Sequence, residues 1–493
     1  MTSAIGKDRS AKPWYSRMIP LLGKSIRALS RLTRHGGSAF PGKVIEACDP
    51  DFLARTLAQL PDGVVLVSGT NGKTTTTRMV SSILETLGMR VFTNPTGSNF
   101  TRGVVSALLD KVDMKGNIDA DIAVLELDEA YAVHFVHQVQ PRYALLLNVM
   151  RDQLDRFGEI DNTARMLGEV AKRTTGTVVL NREDPRIAAL AQLVPEGTQC
   201  AYFGLAPAMR SYFPDDDSMH DDSMHDNTMH DDISGNGSAE PSGKGSAHSP
   251  VSQLEVPPSD ATETTSDGQQ SSQPQLPADV TLNGLVDHGA IFDVSGTILS
   301  TTVKLEGVYN LFNAAAALTL VGRIIKASSF AGQGKTIDTQ SMVTALSHVT
   351  PAFGRGEIID FHGTPVELVL VKNPMGFRLA LASFTPAGHD TMIVINDEFA
   401  DGRDMSWLWD VDFSTLRKTG VAVVSGVRAW DMALRLDYDQ VHVGATETNP
   451  STALEAFLAV NPSHPKRIFC TYTAMLKIRT LISHLTEVAD AGL

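Results

Sequence analysis

The chain has 493 residues, with 42 Lys and Arg against 56 Asp and Glu, a formal net charge of −14. At 42% hydrophobic and 20% charged the composition is that of a soluble protein, and the length calls for two or three domains. No apolar run approaches the roughly 18–20 residues that cross a bilayer, which on this reading rules out an integral membrane protein. Three widely spaced cysteines, Cys48, Cys200 and Cys470, rule out a disulfide scaffold and a four-cysteine zinc site.

The first forty residues are basic: Lys7, Arg9, Lys12, Arg17, Lys24, Arg27, Arg31 and Arg34 face only Asp8. Tyr15, Ile19, Leu22, Ile26 and Leu29 recur at helical spacing, with Arg17, Lys24, Arg27 and Arg31 opposite them. Such a helix either lies on an anionic membrane or packs on its own domain with a solvated basic face. No long apolar core precedes a small-residue cleavage site, so a secretory signal is not expected and a reducing cytoplasm is.

From residue 51 strands and helices alternate. Val64–Val67, Ile122–Leu125, Tyr143–Leu147 and Val178–Leu180 read as buried strands, and Thr75–Leu87 as a helix ended by Gly88. This alternation predicts a mostly parallel sheet with helices on both faces. Residues 214–278 break the pattern. They hold thirteen acidic residues and one lysine, so most of the net charge belongs to this segment. The segment is too poor in apolar residues to offset chain entropy and is expected to be a disordered insertion in one domain. It opens on a repeat carrying His220, His225 and His230 beside aspartates. A solvated linker is the favoured reading, and a loose metal site the other. A second alternating unit starts near residue 349, with strands at Val366–Val371, Met392–Ile395, Val421–Val424, Val441–Val443 and Arg467–Phe469. The expected organisation is therefore a basic segment 1–50, a central domain 51–348 and a smaller α/β domain 349–493.

The strongest chemical signal follows the first strand: Gly69-Thr70-Asn71-Gly72-Lys73-Thr74-Thr75. Glycines let backbone N–H groups approach phosphate oxygens, and the start of a helix favours an anion. Lys73 would neutralise the β- and γ-phosphates, and the Thr74 hydroxyl would face Mg²⁺. The general phosphate loop wants a glycine at position 67, where Val67 stands, so this is a variant.

That variant resembles the ATP loop of the Mur ligase family, amide-forming enzymes of peptidoglycan precursor synthesis that are grouped with folylpolyglutamate synthetases. Five further matches follow in the family's order. They are Leu125-Glu126-Leu127-Asp128-Glu129, Asn148 with Asp152-Gln153-Leu154-Asp155, Asn181-Arg-Glu-Asp184-Pro, Gly307-Val-Tyr-Asn310-Leu-Phe-Asn313, and Phe353-Gly354-Arg355-Gly-Glu357. The resemblance implies a Mur ligase-type central ATPase domain with a mostly parallel sheet, plus a smaller C-terminal Rossmann-like α/β domain. It implies ATP bound by residues 69–75, Asn310, Asn313 and Arg355, and Mg²⁺ on Thr74 and Glu126. It also implies that a carboxylate is activated as an acyl phosphate before an amine or ammonia takes it. Two departures stand out. Gln153 replaces a metal-binding His, and for the family's carbamylated lysine only Lys172 is a candidate, a weak one. The stretch before Asp51 is also too short for the usual N-terminal substrate domain.

Leu370-Val-Lys372-Asn373-Pro374-Met-Gly376-Phe377 and Ile395-Asn396-Asp397 through Asp401-Gly402-Arg403-Asp404 to Trp407-Leu-Trp409-Asp410, with Gly36-Gly37 and Phe40-Pro41-Gly42, resemble the MurT family. Members are the ligase-like subunits of lipid II isoglutaminyl synthases. The resemblance implies that D-glutamate of the lipid II stem peptide is amidated with ammonia from GatD, a class I glutamine amidotransferase. A family member lends GatD's Cys–His pair an aspartate; Asp404 is the first choice here and Asp401 the second. The three cysteines lack the context of a nucleophile and read as small buried residues. Family members often carry a four-cysteine zinc ribbon after a Phe-Gly-Leu like Phe203-Gly204-Leu205; no such cysteines follow here, so no structural zinc is expected. The alternative function is a stand-alone amino-acid ligase of the Mur or folylpolyglutamate type. A cytoplasmic protein working at the inner face of the membrane fits the lipid-linked substrate.

Overall fold

The computed structural model describes residues 19–33, 40–94, 100–150, 160–213, 276–286, 289–303, 307–328, 338–349 and 355–488. The three histidines of the acidic repeat and the Asp152–Asp155 stretch lie outside these residues.

Three helices, α1 (Ile19–Thr33), α2 (Phe40–Cys48) and α3 (Phe52–Leu57), lead into β1 (Val64–Ser68). Helix α1 packs on α2, and its Lys24 ammonium donates to the Val112 carbonyl at 2.8 Å. The expected apolar face is rotated: Leu22 is exposed while Ile19 and Gly23 are buried. The cause is a close approach, because a Cβ at Gly23 would sit 2.5 Å from the Leu109 side chain. Glycine therefore belongs to the buried face, which a count of apolar residues cannot show.

The chain then alternates through α4 (Lys73–Thr86), β2 (Val91–Thr93), α5 (Thr101–Lys111), β3 (Ile122–Glu126), α6 (Glu129–Gln138), β4 (Tyr143–Leu146), α7 (Ile160–Arg173), β5 (Thr177–Asn181), α8 (Pro185–Ala189) and β6 (Gln199–Leu205). Past the acidic segment come β7 (Val280–Val286), β8 (Gly289–Val294), β9 (Thr297–Thr302), α9 (Val308–Ala327) and α10 (Thr339–Leu346). The nine strands form one sheet in the order β2-β3-β1-β4-β5-β6-β7-β8-β9. It is parallel through β7, and β7, β8 and β9 pair antiparallel. Because Phe203 of β6 pairs with Val280 of β7, the chain returns to the same sheet after the acidic segment.

Side chains alternate across the strands with period two, so each strand feeds two cores. Val65, Val67, Val124 and Leu145 pack under α4, α9 and α10, whereas Val64, Leu66, Leu125 and Leu146 pack under the N-terminal helices with α5, α6 and α7. A buried Val or Leu contributes about 1.5–3 kcal/mol, so this double burial is what holds the strands. Helix α9 is long and apolar enough to cross a bilayer, contrary to the sequence reading that no stretch qualifies. Its Leu311–Val321 stretch is buried in the first core, so it is a core helix.

The second sheet runs β10 (Arg355–Phe361), β11 (Thr364–Leu370), β12 (Asp390–Val394), β13 (Val421–Ser425), β14 (Val443–Glu447) and β15 (Lys466–Cys470), in the order β10-β11-β15-β12-β13-β14. It is parallel except for the β10–β11 hairpin. Helices α11 (Pro374–Ser383), α12 (Ala429–Tyr438), α13 (Pro450–Ala459) and α14 (Tyr472–Ser483) complete it. Two corrections concern its edges. Strand β10 is additional, and the strand expected at Val441–Val443 is Val443–Glu447, since Val441 instead fills the core beside α12. The expectation of buried cysteines holds for Cys470 alone; Cys200 is half-buried and Cys48 is exposed.

Candidate active site

Strands β1, β3 and β4 end on the same edge of the parallel sheet, where the first helix of such a fold offers its N-terminus to a ligand. The 69–72 turn crosses this edge between β1 and α4. Gly69 has φ 135° and Gly72, at the N-cap of α4, has φ 86°. A side chain is excluded at Gly72 on two grounds: the left-handed backbone, and a Cβ that would stand 2.6 Å from Asn313 Oδ1. No side chain caps α4, and a helix start without such a cap is suited to an anion. Four consecutive threonines make a poor helix start. Burial of Thr74 to Thr77 imposes the helix from Lys73, two residues before the expected Thr75.

Asn148, after β4, clamps the turn. Its Oδ1 accepts from Asn71 N at 2.8 Å, its Nδ2 donates to Asn71 O at 3.0 Å, and its carbonyl accepts from Thr70 N at 3.0 Å. The Asn148 Nδ2 also donates to the Tyr309 hydroxyl at 2.7 Å, which ties the turn to the first turn of α9. Thr70 Oγ1 accepts from Met150 N at 3.1 Å.

Lys73 is buried and folded over the turn, donating to Gly69 O at 2.6 Å. Its ammonium pairs with Asp128 at 3.1 Å and Glu129 at 3.8 Å, both buried at the start of α6. A buried ammonium is tolerable only when matched in this way. The Thr74 hydroxyl donates to Glu126 Oε1 at 2.7 Å. Asn94, after β2, holds Glu126 by both main-chain groups, at 2.9 and 3.0 Å. A carboxylate and a hydroxyl beside a phosphate loop are hard oxygen donors that fit Mg²⁺, which takes one or two carboxylates and fills its shell with phosphate and water. Among the described residues no group of three or more His, Cys, Asp or Glu could hold a metal ion.

The structure brings Asn313 against Gly72, with Asn310 one turn before it on α9. The Asn313 Nδ2 is buried without a hydrogen-bond partner, a donor suited to a ligand rather than to the fold. Arg355 opens β10, and its side chain lies outside the described residues. Asp184 caps α8, accepting from Arg186 N, Ile187 N and Val149 N. Burial pushes its carboxyl above the usual carboxylate range. Lys172 does not join the site: it is exposed and paired with Glu169 at 2.7 Å. Sequence reasoning missed Asn94 and gave no role to Asp128 and Glu129. It also missed that Lys372 and Asn373 reach the phosphate loop from the second sheet.

The loop after β12 carries the two candidate aspartates, and they differ sharply. Asp401 is 1% exposed and accepts from Thr473 N at 2.7 Å, Thr473 Oγ1 at 2.5 Å and Glu398 N at 3.1 Å. Asp404 is exposed, with Oδ1 accepting from Ser406 N at 2.9 Å. Around this loop apolar side chains stand in solvent: Phe399 at 77%, and Trp430, Leu434 and Tyr438 at 68, 60 and 75% along one face of α12. Trp409 packs edge-on against Tyr438, over the buried guanidinium of Arg435.

Two family models match the chain: the Mur ligase middle domain over residues 67–231 and the MurT ligase C-terminal domain over residues 370–475. The MurT subunit of lipid II isoglutaminyl synthase (glutamine-hydrolyzing) of Streptococcus pneumoniae is 30% identical across 94% of this chain and 96% of its own. Its counterpart in Staphylococcus aureus strain COL is 26% identical across 86% of this chain and 87% of its own. Among solved structures, the MurF ligase of Thermotoga maritima in complex with ADP aligns with a TM-score of 0.56 at 15% identity, covering 98% of this chain and 88% of that one. Folylpolyglutamate synthase of Mycobacterium tuberculosis, complexed with ADP and AMPPCP, aligns at 0.54 and 15%, covering 93% and 98%. These likenesses establish the fold class expected from the sequence.

Proposed function

This chain belongs to the MurT family, and from that premise we propose that it is the ligase subunit of a lipid II isoglutaminyl synthase. It converts the α-carboxyl of D-glutamate in the stem peptide to the amide of D-isoglutamine at the expense of ATP. Residues 51–348 form the ATP-binding domain and 349–493 the domain on which the partner docks. The partner is a GatD-like class I glutamine amidotransferase that supplies ammonia. The reaction runs in the cytoplasm, at the inner face of the membrane that displays the lipid-linked substrate.

The observation that carries this reading is the convergence of Lys73, Thr74, Glu126 and the open N-terminus of α4 on one turn clamped by Asn148. In the first step an oxygen of the substrate carboxylate attacks the γ-phosphorus. The bond to the bridging oxygen breaks, and ADP leaves with the electron pair. In the second step ammonia adds to the carbonyl carbon of the acyl phosphate, phosphate departs, and a proton from nitrogen passes to phosphate or water. Lys73 and the loop N–H groups hold the negative charge that builds on the transferring group, so positioning and electrostatics supply most of the acceleration. Mg²⁺, held by Glu126 and Thr74, supplies further charge neutralisation when bound.

Asp404 is the carboxylate offered to the partner's Cys–His pair, because it is exposed on the loop whose Trp409 packs against Tyr438 of α12. An apolar surface of that kind beside a functional carboxylate suits a protein partner. Asp401, saturated and buried, shapes the loop.

The test is Lys73→Met in the assembled complex with glutamine, ATP and lipid II. Amidation falls at least about 10²-fold, while the two subunits still co-elute. Amidation at the wild-type rate removes the loop from the chemistry. ATP turnover driven by a free amino acid, with no partner, transfers the assignment to a stand-alone ligase.

A further inference from the structure

Among the described residues, the central domain brings more negative than positive charge to the phosphate loop. Glu126, Asp128 and Glu129 lie around it, and Lys73 is matched by two of the three. A nucleoside triphosphate adds several further negative charges. A second cation is present, and it comes from the other sheet. Lys372 follows β11, and its ammonium donates to Thr70 O at 3.1 Å, the same carbonyl that lies 3.4 Å from the Lys73 ammonium.

Its placement is built rather than incidental. Asn373 Nδ2 donates to Asn71 Oδ1 at 3.0 Å, and Asn71 Nδ2 lies 3.4 Å from Asn373 Oδ1. The same Asn373 Oδ1 caps α11 by accepting from Gly376 N at 2.7 Å, with Pro374 at the first helical position. Lys372 is thus aimed by a strand end and a capped helix, which hold a side chain more tightly than a free loop does. The contact with the Thr70 carbonyl sets the Lys372 ammonium against the same turn as Lys73, and a phosphoryl oxygen placed there would be a stronger partner for it than that carbonyl.

We propose that Lys372 is a second catalytic lysine, delivered from the C-terminal domain, that clamps the phosphoryl group in transit from ATP to the substrate carboxylate. The proposal rests on the ligase reading above and adds a residue to it. Lys372 stays protonated throughout. It neutralises oxygen charge on the transferring group and then on the acyl phosphate, and it exchanges no proton. Turnover then requires the two domains to meet through the Asn71–Asn373 pair.

The experiment compares Lys372→Gln, Lys372→Ala and Lys372→Arg with the wild type in the full complex, measuring kcat, the KM for ATP, and MgADP affinity by calorimetry. Removing the charge lowers kcat by about 10²–10³-fold, the range for loss of one transition-state donor. MgADP binding stays within about twofold, and the Arg variant recovers most of the rate. A kcat within about threefold of wild type in both neutral variants overturns the proposal. So does an equal loss of MgADP and MgATP affinity at unchanged kcat, which would make Lys372 a strut between domains. A wild-type complex that amidates lipid II without consuming ATP instead brings down the ligase reading and this inference with it.

Discussion

Replacing Asn148 with alanine tests whether the phosphate turn is held by its clamp. The substitution removes three side-chain hydrogen bonds, two to the backbone of Asn71 and one to Tyr309. Each is worth about 1 kcal/mol net, and a buried Asn71 N–H left alone costs about 1–3 kcal/mol more. Some of this is recovered as the turn relaxes, so a loss of about 3 kcal/mol falls on the binding-competent turn, or roughly 10²-fold in the apparent Kd for MgATP. Tyr309→Phe removes one of the three bonds and should cost about 0.5–1.5 kcal/mol, a loss of about 2- to 13-fold in Kd. Because both residues act through one amide, the double variant should bind no worse than Asn148→Ala alone. Calorimetric titration of folded protein with MgATP measures all three. Asn148→Ala binding within about threefold of wild type would refute the clamp.

Glu126→Gln should raise the Mg²⁺ concentration for half-maximal ATP turnover by about 10–100-fold. Asn94→Ala, which frees the Glu126 backbone, should do so more weakly; an unchanged Mg²⁺ midpoint in both removes Glu126 from the metal site. Asp401→Ala should destabilise the chain by about 1–3 kcal/mol, since three partly buried donors lose their acceptor, and urea denaturation reads this directly. Asp404→Ala should leave stability within about 0.5 kcal/mol. It should instead lower glutamine hydrolysis by the complex at least about 10²-fold. Equal glutaminase rates in Asp404→Ala and wild type would end its assignment to the partner's Cys–His pair.

The parts of the molecule that could be read from sequence are those whose pattern is local. Val64–Val67 is an unbroken apolar run, and Gly-Lys-Thr after it fixes a turn and a helix start, so β1, the loop and α4 could be placed without a structure. The start of α4 was late because threonine's low helix propensity hid a helix that tertiary burial enforces. Strand β14 is a half-exposed edge with little apolar signal, so the Val441–Val443 pair points to a strand that in fact only begins at its second valine. The contacts of Lys372 and Asn373 with the loop span about three hundred residues of chain. No periodicity reports them. The choice between Asp404 and Asp401 likewise rests on burial, which two aspartates in one loop do not reveal by themselves.

The central claim is that the turn at 69–74 hands a phosphoryl group to a peptide carboxylate that then takes ammonia. Its most direct test counts products in one reaction of the wild-type complex with glutamine, ATP and lipid II. The account predicts equal amounts of ADP and of amidated lipid II, with both absent when lipid II is omitted. Amidated product formed without matching ADP would contradict it.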